Sequence, residues 1–149
     1  SMSHVRQQIR EAFATACTSL VTTGTNVFQS RIYPMEKAKL PGLCIYSLTE
    51  SSDDFEIGGA TRLISRSLTM RIEGYADTTT NLDDQLDTIA SECETAIANS
   101  SAINTLLTDL RLTSTEVRFE GELSSGAGVV ILEYAVIYTT AFNAPETAK

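Results

Sequence analysis

The chain has 149 residues, of which 42% are hydrophobic, which is enough for the core of one domain but would leave two domains marginal. Its formal net charge of −8 repels phosphate, which argues against a nucleic-acid-binding protein. The three cysteines are an odd number without C-x-x-C spacing, so a disulfide framework or a zinc site is not expected and a reducing compartment is favoured.

The first predicted element is an amphipathic helix over residues 3–21. Apolar side chains recur there at steps of three and four residues, beginning with Val5 and Ile9. His4, the one histidine of the chain, has no nucleophile at recognisable spacing, so we interpret it as a surface residue. In residues 26–41, two prolines favour extended geometry over a helix.

The next segments alternate between strand and loop. Residues 43–46, LCIY, are a short apolar run rich in strand formers and are predicted to be a strand. Residues 50–62, ESSDDFEIGGATR, are polar and contain glycine, which is typical of a hairpin loop or a mobile arm. Residues 64–73 alternate apolar and polar side chains, which predicts a half-buried antiparallel strand with one face open to solvent or a partner.

The excess negative charge is concentrated in one segment. Residues 72–110 contain eight carboxylates and no Lys or Arg, whereas the acids and bases of the rest of the chain balance. Within this segment, residues 81–99 predict a second helix with aspartates in its first turn, where the helix dipole favours them. This helix has either an ordinary solvated face or a functional acidic face, for which the candidates are Asp83, Asp84, Asp87 and Glu94.

Two more strands are predicted near the end of the chain. Residues 111–120 predict a polar strand, and residues 121–128 a flexible connection. Residues 129–140 are apolar on both faces, so this strand should lie in the middle of the sheet with both faces covered. Its apolar run is interrupted by Glu133 and is too short to cross a membrane. Residues 143–149 are small and polar and are expected to be disordered.

These elements predict one α+β domain over residues 2–142, a mainly antiparallel sheet of about four strands with two helices packed on one face. Little of the chain remains to cover the second face, so part of the apolar surface of the last strand is expected to meet another subunit. No catalytic, cofactor-binding or metal-binding constellation is recognisable, because GGATR at residues 58–62 lacks the Lys-Ser/Thr of a phosphate-binding loop and the acidic clusters lack calcium-loop spacing. We therefore do not expect an enzyme.

The order of the segments resembles the lambda-type phage tail-terminator family, also called minor tail protein U. The resemblance covers nearly the whole of residues 2–142 as patterns of size and polarity. Its parts are the amphipathic N-terminal helix, the motif LPGLCIY leading into an acidic loop, the alternating strand RSLTMRIEGYA, the acidic helix NLDDQLDTIASECETAIA and the closing strand pair ending in VVILEYAVIYTTAF.

The resemblance implies a subunit of a long, non-contractile virion tail that is assembled in the cytoplasm of the bacterial host. Members of this family close into a hexameric ring on the head-proximal end of the tail tube, stop polymerisation of the tube protein and offer a surface to the head-tail connector protein. The implied partners are further copies of the chain, the tube protein and the connector, with no membrane, no sequence-specific nucleic acid and no cofactor. The arm at residues 50–62 is then the candidate contact with the tube or a neighbouring subunit, through Asp53, Asp54, Glu56 and Arg62.

Two other interpretations fit the same residues. A head-tail connector or tail-completion protein would have a similar size and fold class but would bind on the portal side. A small bacterial ligand-binding or regulatory α+β module would instead be a monomer or dimer with a concave pocket lined by tyrosines.

Overall fold

The computed structural model describes residues 3–32, 39–54, 62–120 and 126–149 of the chain. Over these residues the fold is α+β, as the sequence predicts, but the sheet has six strands instead of about four, and a short third helix is present. In chain order the elements are α1 (Val5–Ala16), β1 (Val27–Phe28), β2 (Gly42–Asp54), β3 (Leu63–Asp77), α2 (Leu82–Ala98), α3 (Ser101–Leu106), β4 (Asp109–Glu120), β5 (Ala127–Ala141) and β6 (Ala144–Ala148).

The sheet has the strand order β1-β2-β3-β5-β4, with β6 also paired to β5. Among the described strands, only the two-residue β1 runs parallel to its neighbour, which is β2. β5 lies between β3 and β4, so the predicted central position of residues 129–140 is confirmed. In the middle of the sheet, Ile72 of β3 pairs with Ile45 of β2 on one side and with Leu132 of β5 on the other.

α1 and α2 pack on one face of the sheet and form the main core with it. The buried positions of both helices recur at helical spacing, which is why the periodicity of the sequence located them. Burial of each large apolar side chain contributes roughly 1.5–3 kcal/mol to stability. Members of this core from α1, α2 and β5 include Ile9, Leu86, Ile89, Leu132 and Val136.

α2 packs closely on β3 at Gly74. A Cβ atom at this position would lie 2.6 Å from Cγ2 of Ile89 and 3.1 Å from Cγ1 of Val130. Real side chains do not tolerate the shorter of these contacts without a shift of the helix or of the rotamer. The spacing between helix and sheet therefore depends on glycine at this position.

The face of the sheet away from the helices differs from the expectation. Val129 and Ile131 of β5 point to this face and lie outside the helix-packed core, yet they are only 3% and 4% exposed. Their cross-strand neighbours are long polar residues; Ile131, for example, pairs with Glu73 of β3 and Glu116 of β4. Such side chains cover apolar neighbours with their methylene groups and keep their polar ends in water. The expectation that another subunit must cover this part of β5 is therefore wrong.

The disordered tail predicted for residues 143–149 is also wrong. Most of this segment is β6, in which Ala148 pairs with Thr140 of β5. The segment also contacts α1, because the Gln8 amide donates a 2.8 Å hydrogen bond to the Glu146 carbonyl. Small and polar composition does not prevent strand formation, since ladder hydrogen bonds come from the backbone.

Candidate interaction surfaces

Residues 50–54, predicted to belong to a hairpin loop or a mobile arm, are instead part of β2, which pairs antiparallel with β3. The hairpin of these two strands carries the first group of predicted site residues. Asp53 is exposed near the end of β2, opposite Ser65 of β3. Asp54 is the last residue of β2, and the predicted site residue Glu56 lies outside the described residues. The structure thus brings the two aspartates together at the outer end of β2.

Arg62, immediately before β3, lies against the end of β5. Its guanidinium carbon is 5.5 Å from the ring centroid of Phe142, and its carbonyl oxygen accepts a 2.7 Å hydrogen bond from the Phe142 amide. Phe142 is 61% exposed, so the guanidinium group and the ring form a mixed cationic and aromatic surface beside the hairpin. The sequence placed Arg62 in the arm but gave no sign of this aromatic partner.

Glu50, predicted to begin the mobile arm, is instead a fixed residue at the base of the hairpin. Its carboxylate pairs with the guanidinium groups of Arg6 at 2.7 Å and Arg66 at 3.3 Å, and accepts a hydrogen bond from the Tyr138 hydroxyl. Burial, and then the hydrogen bond to Glu50, raise the pKa of Tyr138, so its hydroxyl stays a donor. Burial also lowers the pKa of His4, which caps α1 beside this cluster, and Arg6 adds to that effect.

A second polar cluster lies on the face of the sheet away from the helices. Arg71 donates hydrogen bonds of 2.5 and 2.9 Å to Glu133, and its Nη1 lies 3.7 Å from Glu73. Glu73 also accepts hydrogen bonds from the hydroxyls of Tyr46 at 2.9 Å and Tyr75 at 3.0 Å. The hydrogen bond to Glu133 is the main cause of the raised pKa of Arg71. Each carboxylate here is paired, so the cluster is a charged cover for the sheet.

The predicted acidic residues of α2 are all at least partly exposed: Asp83, Asp84, Asp87 and Glu94. At about 100° per residue, Asp83, Asp87 and Glu94 fall on one flank of the helix. Glu92 lies on the opposite flank, where it accepts hydrogen bonds from the backbone amide and hydroxyl of Thr22 at 3.0 and 2.9 Å. One carboxylate of α2 therefore tethers the turn after α1, and the others form an acidic surface.

The three cysteines are all free and buried: Cys17, Cys44 and Cys93. Burial, with a smaller contribution from Glu73, raises the pKa of Cys44 to about 12. A thiol held in its protonated form is neither a nucleophile nor a metal ligand at neutral pH. All three cysteines, being free and buried, pack as small apolar side chains, as the sequence indicates.

β4 forms one outer edge of the sheet and carries a surface that the sequence analysis missed. Residues 111–119 are exposed on both faces of the strand. α2 packs mainly against β3 and β5, so β4 extends beyond the cover of the helices. Three apolar side chains of β4 are exposed as a result: Leu112 by 39%, Val117 by 39% and Phe119 by 53%. An exposed edge strand with apolar side chains is a template for pairing with another chain.

A tyrosine-lined cleft or a group of metal-ligating side chains would indicate another function. A cleft of about 400 Å³ lies between the end of α2 and the start of β4, one of about 390 Å³ lies beside Val21, and one of about 210 Å³ lies beside Arg6; none of the three is lined by a tyrosine. Within the described ranges, no group of three or more His, Cys, Asp or Glu residues could hold a metal ion. No helix in that part of the chain is long and apolar enough to span a membrane.

Comparison with known proteins gives distant similarity to solved structures only. No protein-family model matches the chain, and no curated protein matches it. Among solved structures, the chain is similar to a chain of the "Virion of native gene transfer agent (GTA) particle", with 14% identity, 90% of each chain covered and a TM-score of 0.42.

Proposed function

We propose that this chain is a structural subunit of a phage tail terminator, which forms a ring on the head-proximal end of the tail tube. In this role the ring, expected to contain six copies, stops polymerisation of the tube protein and offers a surface to the head-tail connector protein. The support is the resemblance over residues 2–142, whose helix, hairpin, acidic helix and closing strands occur in the expected order in one α+β sheet. The proposed role is assembly and includes no catalytic step.

The observation that carries the proposal is the outer end of the β2–β3 hairpin. The pairing of β4 with β5 ends at Ile137 of β5. β3 continues beyond this position and pairs with Thr140 and Ala141 of β5, and β2 continues beside β3 as far as Asp54. Asp53 is exposed in this continuation, and Asp54 ends it. The hairpin therefore presents the Asp53 carboxylate beyond the edge strand, where a neighbouring molecule can reach it.

A ring closes when each copy contacts the next through two different surfaces, in a heterologous, head-to-tail arrangement. In the proposed ring, the hairpin end is one of these surfaces or the contact with the tube. The contact residues are Asp53, Asp54, Glu56 and Arg62. Phe142, which stacks on Arg62, extends this surface with an exposed ring.

The acidic flank of α2 has a separate proposed role. If Asp83, Asp87 and Glu94 face the lumen of the ring, their charge repels the phosphates of passing DNA and keeps it from adhering. The alternative is that this flank lies on the outer wall. Electron microscopy of the ring distinguishes these orientations directly.

The test of the function is capping of tail tubes that lack a terminator. The purified chain should co-sediment with such tubes and stop their further growth, and the double variant D53K/D54K should do both less well. A matched control, E11K/D77K, makes the same charge change at two exposed carboxylates away from the hairpin end.

Tubes that grow equally long with and without the chain would refute the proposal. Normal capping by D53K/D54K would remove the hairpin from the mechanism but leave the ring. Binding to filled heads and not to tubes would identify a connector instead, and a strict monomer that binds neither would favour a ligand-binding module.

A further inference from the structure

The outer edge of β4 is a long strand edge with no partner among the described residues. β4 has 12 residues, contains no proline and no lysine, and pairs with β5 along one side. Proteins usually protect such edges with lysine, proline, bulges or a covering segment, because free backbone amides and carbonyls pair with other strands. One such device is present, a register shift between Leu112 and Ser114.

The opposite edge of the sheet, along β2, is better protected. β1 pairs with Leu43 and Cys44 at the start of β2. Further along, Nη2 of Arg31 donates a 2.5 Å hydrogen bond to the Ser47 carbonyl. A register shift then follows between Ser47 and Glu50. β4 of one copy can therefore pair more readily with β4 of a second copy than with its β2, whose edge is partly covered.

The regular part of β4 is residues 114–120, which follow the register shift, and its middle residue is Val117. Val117 points to the helix side of the sheet. Glu116 and Arg118, on either side of it, point to the opposite face and form an ion pair of 3.0 Å, with half or more of each side chain exposed. Two opposite charges flanking one apolar residue make this stretch complementary to a copy of itself running in the opposite direction.

We propose that two copies of this chain pair through residues 114–120 of β4, antiparallel, about a two-fold axis that is perpendicular to the sheet and passes midway between the two Val117 residues. In this register Val117 lies opposite its own copy. Glu116 of each copy lies opposite Arg118 of the other, and Thr115 lies opposite Phe119. Directly opposed residues in antiparallel strands have Cβ atoms about 4.5–5.5 Å apart, close enough for these pairs to interact.

Neighbouring registers are less favourable. In the register with the two-fold axis between the two copies of residue 116, Glu116 of one copy lies opposite Glu116 of the other. With the axis between the two copies of residue 118, the two Arg118 residues lie opposite each other. Like charges directly opposed across a ladder are destabilising. The charge pattern therefore favours the register in which Val117 lies opposite its own copy and residues 114–120 of the two copies pair along their whole length.

This pairing is isologous and closes at two copies, whereas the ring proposed above needs a heterologous contact. The inference therefore does not depend on the proposed function. A ladder of this length buries less surface than a standard protein interface of about 800 Å² per partner, so the dimer should dissociate on dilution into the low micromolar range.

Charge exchange tests the pairing. In sedimentation equilibrium over a concentration series, the wild-type chain should show a dimer component. Glu116→Arg and Arg118→Glu should each raise its dissociation constant by at least about tenfold, because both symmetric pairs become repulsive. The double variant E116R/R118E should restore dimerisation, and an equimolar mixture of the two single variants should form a mixed dimer. Glu11→Arg on α1 is the control with the same charge change at another exposed residue.

A wild-type chain that is monomeric throughout the series would overturn the proposal. Single variants that dimerise as tightly as the wild type would overturn it as well, as would a mixture that stays monomeric. A ring of several copies that is insensitive to every one of these substitutions would overturn the β4 contact while supporting the tail-terminator function. Circular dichroism of each variant checks that the fold is intact.

Discussion

Replacing Gly74 by alanine should destabilise the protein through a clash with one atom of α2. The new methyl group would lie 2.6 Å from Cγ2 of Ile89, a methyl on a β-branched side chain with little rotamer freedom in a helix. Overpacking of this kind typically costs about 1–3 kcal/mol. The free energy of unfolding, measured by urea titration with circular dichroism, should fall by that amount without loss of the two-state transition.

A double-mutant cycle identifies the cause. Ile89→Ala alone should cost about 2–5 kcal/mol, because Ile89 is 1% exposed and its truncation leaves a cavity. In that background, Gly74→Ala should cost nothing further, which gives a coupling of about 1–3 kcal/mol between the two positions. Ile97→Ala, a fully buried control on α2, should be additive with Gly74→Ala. Additivity of the first pair, or unchanged stability of Gly74→Ala, would refute the account of helix spacing.

Three further outcomes are expected for the partly or fully buried side chains of Glu50, His4 and Cys44. Glu50→Gln should lower the free energy of unfolding by about 2–4 kcal/mol, because a largely buried carboxylate loses two cationic partners, whereas Glu11→Gln at an exposed site should change it by less than about 0.5 kcal/mol. The folded-state pKa of His4 is lowered from 6.5, so the unfolded chain takes up the proton first and stability is lost as the pH falls below that value. Compared with His4→Asn, which keeps a capping acceptor, the wild type should therefore lose urea resistance between about pH 8 and pH 5; equal loss in both proteins would exclude His4 as the cause. Cys44, with its pKa raised to about 12, should react with a thiol reagent no faster than the protein unfolds, and rapid labelling of the native chain would contradict its burial.

The sequence predicted the parts of the fold that follow local periodicity. Apolar residues at helical spacing located α1 and α2, and the residues that became β3 and β5 were recognisable from alternation and from a doubly apolar run. The central position of β5 followed from the same run. β6 was missed because its small, polar residues carry no strand signal and it is held by backbone hydrogen bonds to β5.

The side-chain clusters were less predictable. Glu50 was assigned to a loose arm because its partners Arg6, Arg66 and Tyr138 come from three other elements that only the folded sheet brings together. The second face of β5 was expected to be apolar and uncovered, because the sequence shows that Ile131 points to this face. The sequence does not show that Glu73 and Glu116 lie next to Ile131 on the neighbouring strands. Asp53 and Asp54 lie at the outer end of β2 in the hairpin, and their role stays a prediction.

The two faces of β5 are covered in different ways, and the two covers differ in how easily they can be displaced. On one face the cover consists of the buried side chains of α1 and α2, and removing it would require unfolding. On the other it consists of side chains such as Arg71 and Glu133, held by hydrogen bonds that a competing ion or a partner's charge can exchange. Arg71 and Glu133 are partly exposed, so once these hydrogen bonds break, rotation of the two side chains can uncover the apolar strip around Val129 and Ile131 without any movement of the main chain. High salt should therefore loosen this face first, while the helical face stays closed.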